Sequence, residues 1–469
     1  MQKLSQRRDA SPATVLVLVC AGVVLASLDL FIVNVALPDM AADFHGPSLA
    51  DMSWALNAYA IVYAALLLVF GRLSDGRRRD LGFLVGLAVF TAGSALCATA
   101  WSLGSLIAFR VLQAAGAALL TPTSLSLVLA TQQPEKRQGA VRTWTAVGGA
   151  AAALGPIVGG LLVAVSWRWV FLVNVPIGLL ALVLGWRRLP AVPGHPVPRP
   201  DVTGALTSTL GVAALTLGLV KGHDWGWTAA STVTSLAVAV VALAAFVVHT
   251  RRHRNPLIDP DLFRHSAFRG ASLAMSLFSI AFGGMLLSIV LWLQGAWHWS
   301  ALRSGLAIAP GPLMVPVFGL VFAGPLIARF GPGRVAAVGT TVFGAGLAWW
   351  ALAMTATPDY VASMLGGMLL TGVGVGLTLP TLMATAAGAL PPASFAAGSA
   401  VINTVRQVGL AVGVAVLVAL LGSTPDLASF QHAWWVFAAL GGLAAVSSTA
   451  LLRRPRQVAA VAEPVAVAA

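Results

Sequence analysis

Apolar stretches long enough to cross about 30 Å of hydrocarbon as α-helices recur about fourteen times along this chain, and nothing else in the sequence constrains its fold so strongly. They run 13 to 37, 52 to 71, 81 to 101, 105 to 130, 141 to 163, 169 to 187, 203 to 220, 229 to 249, 270 to 293, 303 to 327, 334 to 355, 363 to 387, 397 to 420 and 432 to 452. Membrane-spanning strands would alternate in polarity over about ten residues. These runs do not, so the expected fold is an all-α membrane protein of about 14 transmembrane helices. Only 9% of the residues are charged, against about 25% in soluble domains. The first run follows Lys3, Arg7 and Arg8 as a signal peptide would, but it is too long and carries no A-x-A cleavage site.

A net charge of +13 would suggest nucleic acid in a soluble protein, so the position of the charges decides its meaning. With a cytoplasmic N-terminus, 23 of the 28 Lys and Arg fall in inner segments, whereas the outer ones hold Arg168, Lys221 and Arg303. The positive-inside rule then predicts a multi-pass protein of the cytoplasmic membrane with both termini cytoplasmic. The expected partner is the lipid bilayer, not nucleic acid. Cys20 and Cys97 fall near opposite faces of the membrane, so no disulfide is expected.

The longest loops are residues 187 to 201, rich in proline, and residues 251 to 269, which mix Arg with Leu257, Ile258, Leu262, Phe263 and Phe268 as a segment in the headgroup layer would. Spans seven and eight between them resemble an insertion between two six-helix halves. The organisation predicted is an N-terminal half over 1–188, an inserted helix hairpin with its loops over 189–268, and a C-terminal half with a short tail over 269–469. Two copies of one loop support the repeat: FGRLSDGRRRDLGF at 70 to 83 and AGPLIARFGPGRVA at 323 to 336. Parallel halves enclosing a site are a standard transporter plan.

Four motifs sharpen the reading. GRLSDGRRRD (Gly71 to Asp80) is similar to the loop motif G-x-L-x-D-R-x-G-R-R. RVLQAAG (Arg110 to Gly116) is similar to R-x-x-Q-G-x-G. Gly155, Pro156, Ile157, Val158, Gly159 and Gly160 spell G-P-x-x-G-G, and LDLFIVNVALP (Leu28 to Pro38) matches L-D-x-x-[IV]-V-N-V-A-L-P. Over essentially its whole length the sequence resembles the fourteen-span drug:proton antiporters of the major facilitator superfamily. It departs from their patterns at Gly76, Arg78 and Ala114, and the second loop copy has Ala328 where the acid would stand.

Asp29 is the only acid placed inside the membrane, about 12 Å below the outer end of the first span, and Arg110 lies about 8 Å below the outer end of the fourth. An arginine side chain covers that difference, so mutual neutralisation is expected. Two readings stay open: a permanent ion pair joining two helices, or a carboxyl that carries the proton while Arg110 modulates it. The 155 to 160 stretch is either small-residue helix packing or, as the resemblance implies, a gate. Asp75, beside Gly71 and Arg79, is either a solvated acid or, by the same resemblance, a latch against the helix start near residues 397 to 399. Arg406, with Asn403 and Gln407 nearby, either donates to backbone carbonyls or faces a cavity and disfavours cations. Asn34, Tyr59, Tyr63, Gln113, Phe278 and Phe282 complete the candidate substrate cavity, although the aromatic pairs equally suit helix packing. His249 and His253 have metal-ligand spacing, but Arg251, Arg252 and Arg254 surround them, so no metal is expected.

No G-x-x-x-x-G-K-[ST], H-E-x-x-H or G-x-S-x-G occurs, which leaves neither an ATP-driven pump nor a membrane hydrolase a site. The chain is expected to be no enzyme, to need no cofactor beyond the proton gradient, and to act as a monomer exporting small amphipathic compounds. An uptake symporter would use the same acid. A membrane sensor or scaffold would not need it.

Overall fold

The computed structural model describes residues 11–44, 49–52, 54–194, 201–422 and 426–452. The expected cytoplasmic placement of both termini lies outside these residues, as do positions 195–200 of the proline-rich loop. Among the described residues there are helices and no strands. Thirteen helices are long and apolar enough to span a membrane, and a fourteenth span is counted if one bent pair is taken as a unit. They are α1 (Pro12–Asp43), α2 (Trp54–Asp75), α3 (Arg79–Ala98), α4 (Leu103–Thr131), α5 (Pro134–Val163), α6 (Trp169–Arg188), α7 (Val202–Trp225), α8 (Ala230–Arg252), α9 (Ser266–Ala296), α10 (Pro310–Phe330), α11 (Pro332–Ala353), α12 (Tyr360–Gly388), α13 (Phe395–Leu421) and α14 (Leu427–Leu451).

Packing displays the repeat. Within the first six helices the contacts are α1 with α4, α5 and α6, α2 with α4, and α3 with α4 and α6. Raising each number by eight gives the contacts among the last six: α9 with α12, α13 and α14, α10 with α12, and α11 with α12 and α14. Contacts across the seam exchange in the same way. The pairing of α2 with α13 is matched by α10 with α5, and that of α4 with α13 by α12 with α5. The α7–α8 hairpin packs on itself, and α7 lies against both α2 and α13.

Some boundaries differ from those read by hydropathy. The first helix does not stop near Leu37 but continues to Asp43, because polar residues at its C-terminal end break the apolar run without breaking the backbone hydrogen bonds. The tenth span is interrupted: a separate turn of helix (Ala301–Ile308) precedes Pro310, and a π-type turn (Val317–Phe322) follows Pro316. A proline lacks the N–H for the helical ladder and crowds the carbonyl four residues earlier, and a π turn is one way for the helix to absorb it. In α5 the segments Pro134–Ala152 and Ile157–Val163 meet at 42°.

The hairpin is tied down on the face that carries the arginine-rich loops, called here the basic face. Asp201 caps α7 by accepting the Gly204 amide at 2.8 Å, and it also accepts the Leu257 amide at 2.9 Å and meets His249 Nε2 at 2.7 Å. One carboxylate thus joins the start of α7, the end of α8 and the following loop. His253 brings its ring to 4.8 Å from that of His249. On the other side, the Arg79 amide donates to the Val192 carbonyl at 3.0 Å, and the Val192 amide donates to Asp80 Oδ1 at 3.2 Å. Asp80 is the residue standing where the loop motif has its last arginine, and here it is fully buried and paired with Arg78 at 2.6 Å.

Candidate functional site

Five helices converge on Asp29. It sits at the middle of α1, about 21 Å from the helix's C-terminal end at 1.5 Å per residue, and its side chain is completely buried. Arg110 and Gln113 lie three apart on α4 and so share a face. Arg110 Nη1 donates to Asp29 Oδ2 at 2.5 Å and to Gln113 Oε1 at 2.6 Å, and Arg110 Nε donates to the Ala55 carbonyl of α2 at 3.0 Å. Gln113 Nε2 donates to Asp29 Oδ1 at 2.8 Å and to Ser94 Oγ of α3 at 2.6 Å. Asn174 of α6 reaches both Asp29 Oδ1 and Ser94 Oγ at 3.4 Å. The Tyr59 ring lies 4.1 Å from the Arg110 guanidinium carbon and the Phe171 ring 5.8 Å.

This arrangement holds a charge where hydrocarbon would reject it. Both carboxylate oxygens accept hydrogen bonds, and the guanidinium that neutralises them lies between aromatic faces. Ser94 and Asn174 are absent from the residues expected from sequence. Asn174 had a signal, being the lone amide in span six, whereas a serine in α3 looks like ordinary packing. Gln113, expected to line a cavity, is enclosed in the cluster with no exposure.

A second constellation joins the halves on the basic face. Asp75, at the end of α2, accepts the amides of Ala396 and Ala397 at 2.9 and 2.8 Å. These belong to the first turn of α13, whose N–H groups have no partner within the helix. Arg79 donates to the Pro392 carbonyl at 2.6 Å and lies 3.7 Å from Asp75. Gly71 lets the helices meet: a Cβ there would fall 2.4 Å from Ala400 Cβ and 2.9 Å from the Ala396 carbonyl oxygen. Deeper in the bundle the halves also meet between α5 and α10, where a Cβ on Gly149 would lie 3.0 Å from Val315 Cγ1.

The Gly155 to Gly160 stretch begins within the bend in α5. A Cβ on Gly159 would meet the Ile32 carbonyl oxygen at 3.0 Å, one turn beyond Asp29, so this motif presses its backbone against the helix that bears the carboxylate. Gly155 is buried and Gly160 half-buried, while the side chains of Pro156 and Asn34 lie outside those described. The remaining cavity candidates do not form one cluster. Tyr59 and Tyr63 stack at 6.0 Å on α2. Phe278 and Phe282 stack at 5.7 Å on α9 and both meet Phe343 of α11, so they act as packing. Asn403 donates to the Ser399 carbonyl of its own helix. Arg406 and Gln407 are half-buried.

Comparison with known proteins follows the same lines. The sequence pattern of the Major Facilitator Superfamily matches residues 19–282 and 271–467. The chain belongs to the major facilitator superfamily. As a member it is a transporter and not an enzyme. Among similar proteins, the methylenomycin A resistance protein of Streptomyces coelicolor is 32% identical over 97% of this chain and 95% of its own length. The cephamycin export protein CmcT of Amycolatopsis lactamdurans is 36% identical over 89% and 86%. The tetracenomycin C resistance and export protein of Streptomyces glaucescens is 33% identical over 88% and 76%. Among solved structures, the human organic anion transporter MFSD10 superposes with a TM-score of 0.70 at 16% identity, covering 93% of this chain and 99% of that one. That similarity concerns the fold alone.

Proposed function

We propose that this protein exports amphipathic antibiotic-like compounds across the cytoplasmic membrane in exchange for protons, by alternating access between its two halves. The observation that carries the reading is the Asp29 cluster: one carboxylate at mid-membrane, neutralised by Arg110 and accepting hydrogen bonds from amides that can reorient when it is protonated. A static fastening between helices would not need a titratable group at that depth, and intramembrane acids are expensive and usually functional. The relatives named for resistance and export support the direction and the substrate type.

In this reading Asp29 takes the proton, and Arg110, released on protonation, transmits the change through α4. The backbone of α5 at Gly159 lies against α1 and moves with it. The Asp75 bonds to α13 exist with the basic face closed and break when it opens, so they act as the latch of the cytoplasmic gate. The driving force is the proton gradient and no cofactor is required. The protein works as a monomer, because each half-site is complete within one chain.

The test is Asp29→Asn in everted membrane vesicles given cationic, neutral and anionic drugs. A neutral amide needs no counter-charge, so the variant should insert and fold while losing substrate-induced proton release. Transport against a gradient at the wild-type rate would remove Asp29 from the mechanism.

A further inference from the structure

The Asp29 cluster leaves a second mid-membrane guanidinium unused. Arg406 lies about 16 Å along α13 from its basic-face end. Its guanidinium faces the Tyr63 hydroxyl of α2, and its Nε is buried without a hydrogen-bond partner. Among the described residues no carboxylate pairs with it. The Tyr63 hydroxyl fixes the side of the seam to which Arg406 points, because it shares a hydrogen bond with Thr121 of α4 at 3.0 Å. The other side of the seam is covered by α7, where Thr209 Oγ1 meets the Ala65 carbonyl at 3.5 Å. Arg406 therefore looks inward, between the halves, and not toward lipid.

The charges in this region do not balance. The positive charge of Arg110 is met by Asp29, whose oxygens are already engaged, whereas that of Arg406 is met by a phenol alone. A guanidinium offers only donors, and the Tyr59 ring stacked on Tyr63 extends the apolar surface beside it. We propose that Arg406 and Tyr63 form the recognition end of the transport site and take the substrate through an acceptor oxygen, a carbonyl, enolate or carboxylate, while rejecting permanent cations. A cation bound here would place a second uncompensated positive charge in the membrane interior. This rests on the export reading above and names the substrate class for it.

The test measures binding to the purified full-length protein in detergent with no gradient, using 1-naphthoate and 1-naphthyltrimethylammonium, which share a ring system and differ in charge. Naphthoate should bind at least about tenfold more tightly, the scale of one charge-assisted hydrogen bond. Arg406→Gln should remove most of that difference, Arg406→Lys should retain part of it, and Tyr63→Phe should weaken naphthoate alone. Tyr63→Phe also serves if Arg406→Gln fails to elute as a monodisperse protein. Equal binding of the two probes, no naphthoate binding at millimolar concentration, or an Arg406→Gln variant with wild-type selectivity would each overturn the proposal. Asp29→Asn should keep naphthoate binding. Loss of proton exchange and loss of recognition are therefore separately visible, and failure of one reading does not imply failure of the other.

Discussion

Asp29 and Gln113 touch through a hydrogen bond between a charged acceptor and a neutral amide, the kind worth about 1.5–3 kcal/mol when buried. Gln113→Ala leaves Asp29 Oδ1 with the longer Asn174 contact and leaves Ser94 with one donor fewer. Asp29→Asn and Gln113→Ala should therefore be non-additive in thermal stability, with a coupling of about 1–3 kcal/mol in a double-mutant cycle. Additive losses would mean that Gln113 merely fills space. The ion pair at the centre of this cluster was legible in the sequence, because a lone acid at mid-membrane demands a cation and depth selects Arg110. Its surroundings were not. Ser94, Asn174 and the Ala55 carbonyl come from three different helices, and only the rotation of each helix about its axis shows that they face inward. Hydropathy carries no information about that rotation when a helix is apolar all round.

Helix ends hold the molecule together on the basic face, and they respond differently to mutation and to acid. Asp75→Ala removes two bonds to the start of α13, so the population should shift toward forms open on that face. Cysteine labelling at positions lining the contact of Gly71 with Ala396 and Ala400 should become faster. Unchanged labelling would make Asp75 a helix cap and not a latch. Asp201 offers a pH-dependent counterpart. Burial alone would raise its carboxyl, but the Gly204 amide, His249 and the Leu257 amide outweigh burial and hold it below its usual range. A lowered folded value stabilises fully above the unfolded pKa of about 3.9 and is lost as pH falls through the folded one. The stability advantage of wild type over Asp201→Ala, about 1 kcal/mol for a lost N-cap, should thus persist from neutrality to about pH 4 and vanish below. An advantage that persists unchanged below about pH 3 would mean that the ionised carboxylate is not what makes the tie. The loop motif made Asp75 legible. Asp201 escaped notice because its partners His249 and Leu257 lie far along the chain, and only the closed hairpin brings them to it.

At the scale of the whole molecule the repeat shows how many proton sites the proposed exchange can draw on. The main contacts in the first half have their counterparts eight helices later, yet the carboxylate has none. Asp29 on α1 is not echoed by an acid on α9, which reads SAFRGASLAMSLFSIAFGGMLLSIVL over Ser266–Leu291. The fold is symmetric and its chemistry is not, which is why periodicity and the two loop copies were enough to anticipate the architecture but not the site. Under the proposed exchange, one titratable carboxyl at mid-membrane would carry one proton per cycle. For a neutral substrate that moves one charge, and at 100 mV and one pH unit the two components contribute about 2.3 and 1.4 kcal/mol. Together they support roughly 500-fold accumulation at about 1.4 kcal/mol per tenfold. A monoanion of the kind Arg406 would admit leaves against an interior-negative potential and adds a second charge, raising the limit above about 10,000-fold by the same arithmetic. Reversal potentials in proteoliposomes should therefore report one charge per neutral molecule and two per monoanion, and Asp29→Asn should lower each by one. Two charges per neutral molecule would require a second proton carrier, and the assignment of Asp29 as the single coupling group would then fail.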